Sequence, residues 1–142
     1  MKKLLIFIVV LTIGGFANGQ KLDASKVPAV VKTSFAKQYT GITDVKWEME
    51  DGAYEAGFRK DGKSMSAIFD PNGTFKESEV VIKITELPAG VLDYMKQHYK
   101  GITVKEAAKI TKANGEVNYE AEIKGKDVVF DTNGKFIKEA KD

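Results

Sequence analysis

The sequence predicts an α+β fold: two tandem α-β4 repeats forming one eight-stranded, curved antiparallel sheet with two helices on one face. Three observations predict it. A seven-residue phrase occurs twice, as Phe69-Asp70-Pro71-Asn72-Gly73-Thr74-Phe75 and as Phe130-Asp131-Thr132-Asn133-Gly134-Lys135-Phe136. Each copy follows stretches in which apolar and polar residues alternate between short turn signals, the pattern of half-buried antiparallel strands. Each of those stretches follows an apolar stripe at i+4 spacing, the pattern of an amphipathic helix.

The first helix is expected from Ser25 as N-cap, with Pro28 in the first turn, where a missing N–H costs nothing. Val27, Val31, Phe35 and Tyr39 form its stripe, and Gly41 ends it. Val45, Trp47 and Met49 then alternate with Lys46, Glu48 and Glu50 up to a turn at Asp51-Gly52. Tyr54, Ala56 and Phe58 alternate with Glu55, Gly57 and Arg59 up to a turn at Asp61-Gly62. Met65, Ala67 and Phe69 lead into the repeated phrase. A long fourth strand follows from Thr74 to Ile84, with a bend expected near Ser78.

The pattern then restarts. Leu87-Pro88-Ala89 matches Val27-Pro28-Ala29, with Thr85 in the place of Ser25. Val91, Met95 and Tyr99 match Val31, Phe35 and Tyr39, and Gly101-Ile102-Thr103 repeats Gly41-Ile42-Thr43. Tyr119-Glu120-Ala121 matches Tyr54-Glu55-Ala56 after a small insertion around residues 112–116, and the next turn is expected at Gly125-Lys126. Self-similarity of this kind marks a duplicated unit, here residues 20–84 and 85–142. One such unit, of about 60 residues, is marginal alone because it buries too little of its surface, and two units sharing a sheet bury more.

The first 19 residues read as a signal peptide. Lys2 and Lys3 are its basic start, Leu4 to Ile13 its apolar stretch, and Ala17-Asn18-Gly19 its small-residue cleavage site. The apolar run is shorter than the roughly 20 residues a membrane-spanning helix needs. The expected location is periplasmic or secreted. The 142-residue chain carries 22 Lys+Arg and 20 Asp+Glu, and loss of Lys2 and Lys3 leaves it formally neutral. Neutrality argues against a nucleic-acid ligand, which draws a basic surface. The chain has no cysteine, which excludes disulfide staples and thiolate chemistry.

The repeated phrase has two chemical readings. Asp, Pro, Asn and Gly in that order suit a type I turn with a left-handed residue after it. Asp-x-Asn-Gly also resembles part of a calcium loop, with Asp70, Asn72, Asp131 and Asn133 as ligands and Glu77, Glu79 and Glu139 as nearby acids. The helix-loop-helix calcium pattern wants Gly at its sixth position and an acid at its twelfth. Here Gly is fourth and the twelfth positions are Val81 and Asp142, so the turn reading is preferred. No catalytic residues are assigned. His98 is the one histidine, with no serine elbow and no thiolate near it in sequence, and reads as a helix-surface residue. Trp47 is the one tryptophan and shares the apolar strand face with Val45 and Met49, which reads as core beneath the first helix.

These motifs resemble a family: the PepSY-like proteins exported by Gram-negative gut and environmental bacteria, also described as beta-lactamase-inhibitor-like. The resemblance is carried by Val27-Pro28, Tyr39 with Gly41, Tyr54-Glu55 and residues 69–75, and again by Leu87-Pro88, Tyr99 with Gly101, Tyr119-Glu120 and residues 130–136. Two positions depart from the family pattern. Thr40 and Lys100 stand where proline often precedes the helix-ending glycine, and Phe75 and Phe136 stand where tryptophan often follows the turn. The resemblance implies an eight-stranded sheet like that of the inhibitor proteins, export, and for some members a link to calcium.

Two functions follow as expectations. One is a non-enzymatic binding module that docks an envelope protein, restraining a hydrolase, through the open face of its sheet. The residues expected on that face are Lys46, Glu48, Glu55, Arg59, Glu120, Glu122 and Lys124. The other is a calcium- or small-ligand-responsive protein that uses the repeated turns; otherwise no cofactor or metal is expected. Unpaired strands at both ends of the sheet allow a monomer or an edge-strand dimer.

Overall fold

The computed structural model describes residues 19–141; all but the last residue of the expected signal peptide lies outside them. The chain forms one antiparallel sheet of nine strands in sequence order, with two helices. The strands are β1 (Gln20–Leu22), β2 (Val45–Glu50), β3 (Ala53–Lys60), β4 (Lys63–Phe69), β5 (Phe75–Ile82), β6 (Glu106–Lys112), β7 (Val117–Ile123), β8 (Lys126–Phe130) and β9 (Phe136–Lys141). Helix α1 (Ala29–Gln38) precedes β2 and α2 (Val91–His98) precedes β6. The order of one helix and four strands thus occurs twice.

The expected eight strands become nine because residues 20–22 pair with β2, placing Leu22 opposite Trp47. Neither helix begins at its expected cap. Short 3-10 turns, Ala24–Lys26 and Ile84–Glu86, come first, and Pro28 and Gly90 stand at the helix starts. Asp23 caps the first turn by accepting from Ser25 N at 2.8 Å, so Ser25 is a donor inside the turn rather than the cap. Pro88 and Gly90 delay α2 to Val91.

Both helices lie on the same sheet face. Val27, Val31, Phe35 and Tyr39 pack on Trp47, Ala56, Phe58 and Phe69. Trp47 is therefore core, edge-on to Phe35 with ring centroids 5.6 Å apart. Val91 and Met95 pack on Ala121, Ile123, Val128 and Phe130, with Tyr94, Tyr99 and Phe136 at the margin. Exposed His98 stacks on Tyr94, centroids 4.0 Å apart. Tyr99 donates its hydroxyl to Glu139 at 2.6 Å, and partial burial beside that carboxylate pushes the Tyr99 hydroxyl up to about 12.

The repeated phrase joins sheet to helix. Phe69 and Phe130 are fully buried and meet Phe75 and Phe136 across the turns. The glycines adopt positive φ, 83° at Gly73 and 77° at Gly134. A Cβ at Gly73 would meet Ser34 and Val30 of α1, and one at Gly134 would meet the Ala89 carbonyl just ahead of α2. Each turn is thus pressed against a helix. The ladder shifts register between Ile68 and Phe69 and between Val129 and Phe130, leaving Lys76 and Ile137 as bulged residues. The bend therefore lies at Lys76, ahead of the expected Ser78. Bulges sharpen local twist and help the sheet to curl.

This geometry separates two glycine substitutions. Gly125 has a φ of 75° and open space around its Cβ position, so Gly125→Ala costs only the left-handed backbone, about 1 kcal/mol. Gly134→Ala adds the collision with Ala89 and is expected to cost at least about 3 kcal/mol. Phe130→Ala, at a fully buried side chain, is expected to cost about 3–5 kcal/mol. Urea midpoints of the three variants give the ranking directly.

Candidate functional site

The sheet face opposite the helices is where the chain departs from ordinary strand chemistry. Strand alternation puts Glu48, Glu55, Glu77, Glu79, Glu106, Glu120, Glu122 and Asp127 there. Glu55, Glu77, Glu79, Glu120 and Asp127 are buried, Glu120 to 2% exposure and Asp127 to 0%. Ser66, Asn118, Ile68, Ile110 and Val129 are buried among them. Both helices lie on the other side, so among the described residues only neighbouring strands of the same sheet flank these acids, which line an acidic trough along this face.

The register makes the crowding specific. Glu48 lies directly opposite Glu55, Glu106 opposite Glu122, and Glu122 opposite Asp127. Like charges facing each other across strands destabilise a sheet. Ser66 pairs with Glu79, Glu79 with Ile110, and Ile110 with Asn118. One row along, Ala108 pairs with Glu120, Glu120 with Val129, and Val129 with Lys138. Lys112 and Lys138 are the cations on this face of β5–β9. Lys112 is paired with Glu116, 2.7 Å away.

Burial pushes Glu79 well above the ordinary carboxylate value of 4.5, and Glu120, Glu55, Glu77 and Asp127 push it further. Glu120 is raised well above the same value by burial, then by Asp127, Glu122, Glu77 and Glu106. Glu77 is raised by burial against the pull of Lys112 and Lys138, and Glu106 by burial and by Glu122. Burial lowers Lys138, helped by Lys112 and opposed by Glu77 and Glu120. Glu120 Oε2 is enclosed and has no hydrogen-bond partner.

The seven residues expected on the open face divide. Lys46 and Arg59 are exposed, Glu48 and Glu122 half-buried, and Glu55 and Glu120 buried in the floor. Lys124 is exposed in the turn between β7 and β8. Arg59 reaches back to its own hairpin, donating to Gly62 O at 2.6 Å and to Ser64 Oγ at 3.2 Å. Glu77, Glu79, Glu106 and Asp127 were not expected on a binding face. The available signal was the alternation of Glu77 and Glu79 about Ser78 in a strand central to the sheet.

Of the four turn residues, Asn72 and Asp131 hold backbone amides with their side chains. Asn72 Oδ1 accepts from Thr74 N at 2.9 Å. Asp131 Oδ1 accepts from Asn133 N at 2.8 Å and Lys135 N at 2.9 Å. Asp70 Oδ2 lies 3.1 Å from Lys76 Nζ. Glu139 is on the helix side with Tyr99 and Lys126, away from Glu77 and Glu79. Among the described residues no group of three or more acidic, histidine or cysteine side chains is placed to hold a metal ion. A second depression, of about 580 Å³, opens on the helix side between the two apolar clusters, where Met65, Val80, Ile82 and Tyr119 meet Lys60, Lys63 and Lys109.

The buried acids reverse the usual dependence of stability on pH. Above pH 4.5 the folded chain keeps protons on Glu79 and Glu120 that the unfolded chain has released. The folded state then binds more protons, so stability falls as pH rises through that window. The lowered carboxylates Asp23, Glu116 and Glu139 act with the opposite sign, below their ordinary values. Glu120→Gln is expected to flatten the decline and to raise the urea midpoint near pH 8. Urea titrations of both proteins from about pH 5 to about pH 8 check this.

Among the described residues no helix is long and apolar enough to cross a membrane. No curated protein matches the chain. Solved structures share the fold at low identity. A protein of Bacteroides eggerthii DSM 20697, named as periplasmic, superposes with a TM-score of 0.70 at 15% identity, over 81% of this chain and 88% of its own. A DUF2874 family protein of Bacteroides uniformis ATCC 8492 gives 0.70 at 19% identity, over 80% and 88%. A BLIP-like protein of Bacteroides fragilis NCTC 9343 gives 0.63 at 24% identity, over 80% and 85%. The model of the beta-lactamase-inhibitor-like, PepSY-like proteins matches residues 17–76 and again residues 52–138. With those two matches spanning nearly all of the described residues, the chain belongs to the PepSY-like, beta-lactamase-inhibitor-like family.

Proposed function

We propose that this protein is a non-enzymatic exported binding module that docks a protein partner of the cell envelope through the helix-free face of its sheet, restraining a hydrolase. The observation that carries the reading is the division of the sheet. One face is filled by two helices, and the other holds a polar trough with exposed Lys46 and Arg59 at one end. Family membership and the likeness to a BLIP-like protein support it. In this reading residues 1–19 are a signal peptide and residues 20–84 and 85–142 are a tandem duplication. The mature chain is a monomer or pairs through its edge strands β1 and β9.

A photo-crosslinking residue at Lys46 or Arg59 of the mature chain tests the docking face, with the same residue at Lys32 or Lys96 on the helices as reference. Crosslinks to one envelope protein from Lys46 and Arg59 alone are expected. Equal yields from the helix positions, or none from either set, overturn the reading. Calorimetry with calcium addresses the alternative: heat that disappears in Asp70→Ala with Asp131→Ala would favour a calcium-responsive protein.

A further inference from the structure

The trough carries its own chemical specificity, and the inference that follows rests on the docking reading above. We propose that the face recognises its partner through a basic side chain: an arginine or lysine of the docking segment enters the trough and sits against Glu79 and Glu120.

Three observations converge on this. Glu120 is 2% exposed and its Oε2 has no hydrogen-bond partner, although it lies among acids. A buried carboxylate oxygen left unmatched is costly, and a cationic donor is the group that satisfies it most strongly. The spacing is also informative. Glu79 on β5 and Glu120 on β7 are separated by β6, facing Ile110 and Ala108 respectively. Two strand spacings and an offset of two residues along the strand put their backbones about 12 Å apart. A divalent cation needs oxygens drawn in to about 2.5 Å, and no described acidic group converges in that way. A planar guanidinium with five donors, or an ammonium with three, bridges carboxylates that stand further apart. Finally, Ile68, Ile110 and Val129 interrupt the acids on the floor. They offer apolar contact to the methylene stem that carries such a group.

The charges facing Glu79 and Glu120 come from all the strands around them except β4, which faces Glu79 with Ser66. They are Glu55 on β3, Glu77 on β5, Glu106 and Lys112 on β6, Glu122 on β7, Asp127 on β8 and Lys138 on β9. Acids outnumber bases among these groups, and Lys112 is paired with Glu116. A cation entering the floor takes the place of protons on Glu79 and Glu120 and favours their ionised forms. Binding therefore releases protons and strengthens as pH rises.

The probe is a blocked peptide alternating arginine and alanine, with a citrulline-for-arginine version as the neutral isostere. Calorimetry with the mature protein, in two buffers of different ionisation enthalpy, reads affinity and proton release together. The arginine peptide is expected to bind and the citrulline peptide not. Affinity is expected to rise at least about tenfold between about pH 5 and about pH 8, with net proton release. Glu79→Gln and Glu120→Gln are each expected to weaken binding at least about tenfold near pH 8, at unchanged circular dichroism, while Asp93→Asn on the outside of α2 binds like the wild type. Equal binding of the citrulline peptide, no binding near pH 8, or no loss in the glutamine variants overturns the inference. So does spermidine or calcium binding more tightly than the peptide at equal concentration, which would make the floor a small-cation site. If the peptide result is negative while the Lys46 and Arg59 crosslinks persist, the docking face stands and the basic anchor falls. If the crosslinks fail while the peptide binds, the docking reading falls and the partner anchor with it, and what is left is an arginine site at Glu79 and Glu120.

Discussion

The fold depends on the contact between each Phe-Asp-x-Asn-Gly-x-Phe turn and a helix. Phe69 and Phe130 are fully buried, each beneath one of the helical layers, and the turn that follows each comes close enough to the chain of α1, or to the approach to α2, to exclude a Cβ. This contact anchors each helix at one end of its hairpin. It also places the bulged residues Lys76 and Ile137 just after the turns, where they bend the sheet. With both helices anchored on one face, no described helix covers the other. The acids lie on the side that this fastening leaves without a described helix.

Much of this was legible in the sequence. The two stripes Val31-Phe35-Tyr39 and Val91-Met95-Tyr99, the strand alternation and the turns all rest on local periodicity, and residue types report that directly. The ninth strand was not legible. Gln20–Leu22 contributes one apolar residue, and only pairing with β2 makes it a strand. The helix starts shifted because a 3-10 turn and an α-helix make the same demands on their first residues.

The site was half legible for a related reason. Alternation places Glu55 and Glu120 on the face opposite the helices, and that much is visible in Tyr54-Glu55-Ala56 and Tyr119-Glu120-Ala121. Whether such a face is wet or enclosed depends on curvature, which arises from bulges and twist summed over many strands. A charged residue on a flat sheet and one at the floor of a trough have identical sequence signatures. Of the residues expected on an open face, Lys46 and Arg59 at one end are exposed, whereas Glu55 and Glu120 are buried.

The acids of this face come from both of the helix-and-four-strand stretches that share the sheet. Glu55 and Glu120 occupy matching places in the two halves, but the neighbours they meet differ. Counted from the second aromatic of each turn phrase, Glu77 corresponds to Lys138 and Glu79 to Ala140. In the folded sheet β5 and β6 are adjacent, so Glu77 and Glu79 of the first half stand beside Glu120 and Asp127 of the second. The concentration of acid lies across the junction of the halves. Like-charge pairs such as Glu106 with Glu122, and Glu122 with Asp127, weaken a sheet whose central strands could have carried threonine or valine at the same positions. Such a cost in the middle of a sheet, on the face that no described helix covers, is not explained by the stability of the fold, and a docking role for this face, as proposed, would account for it.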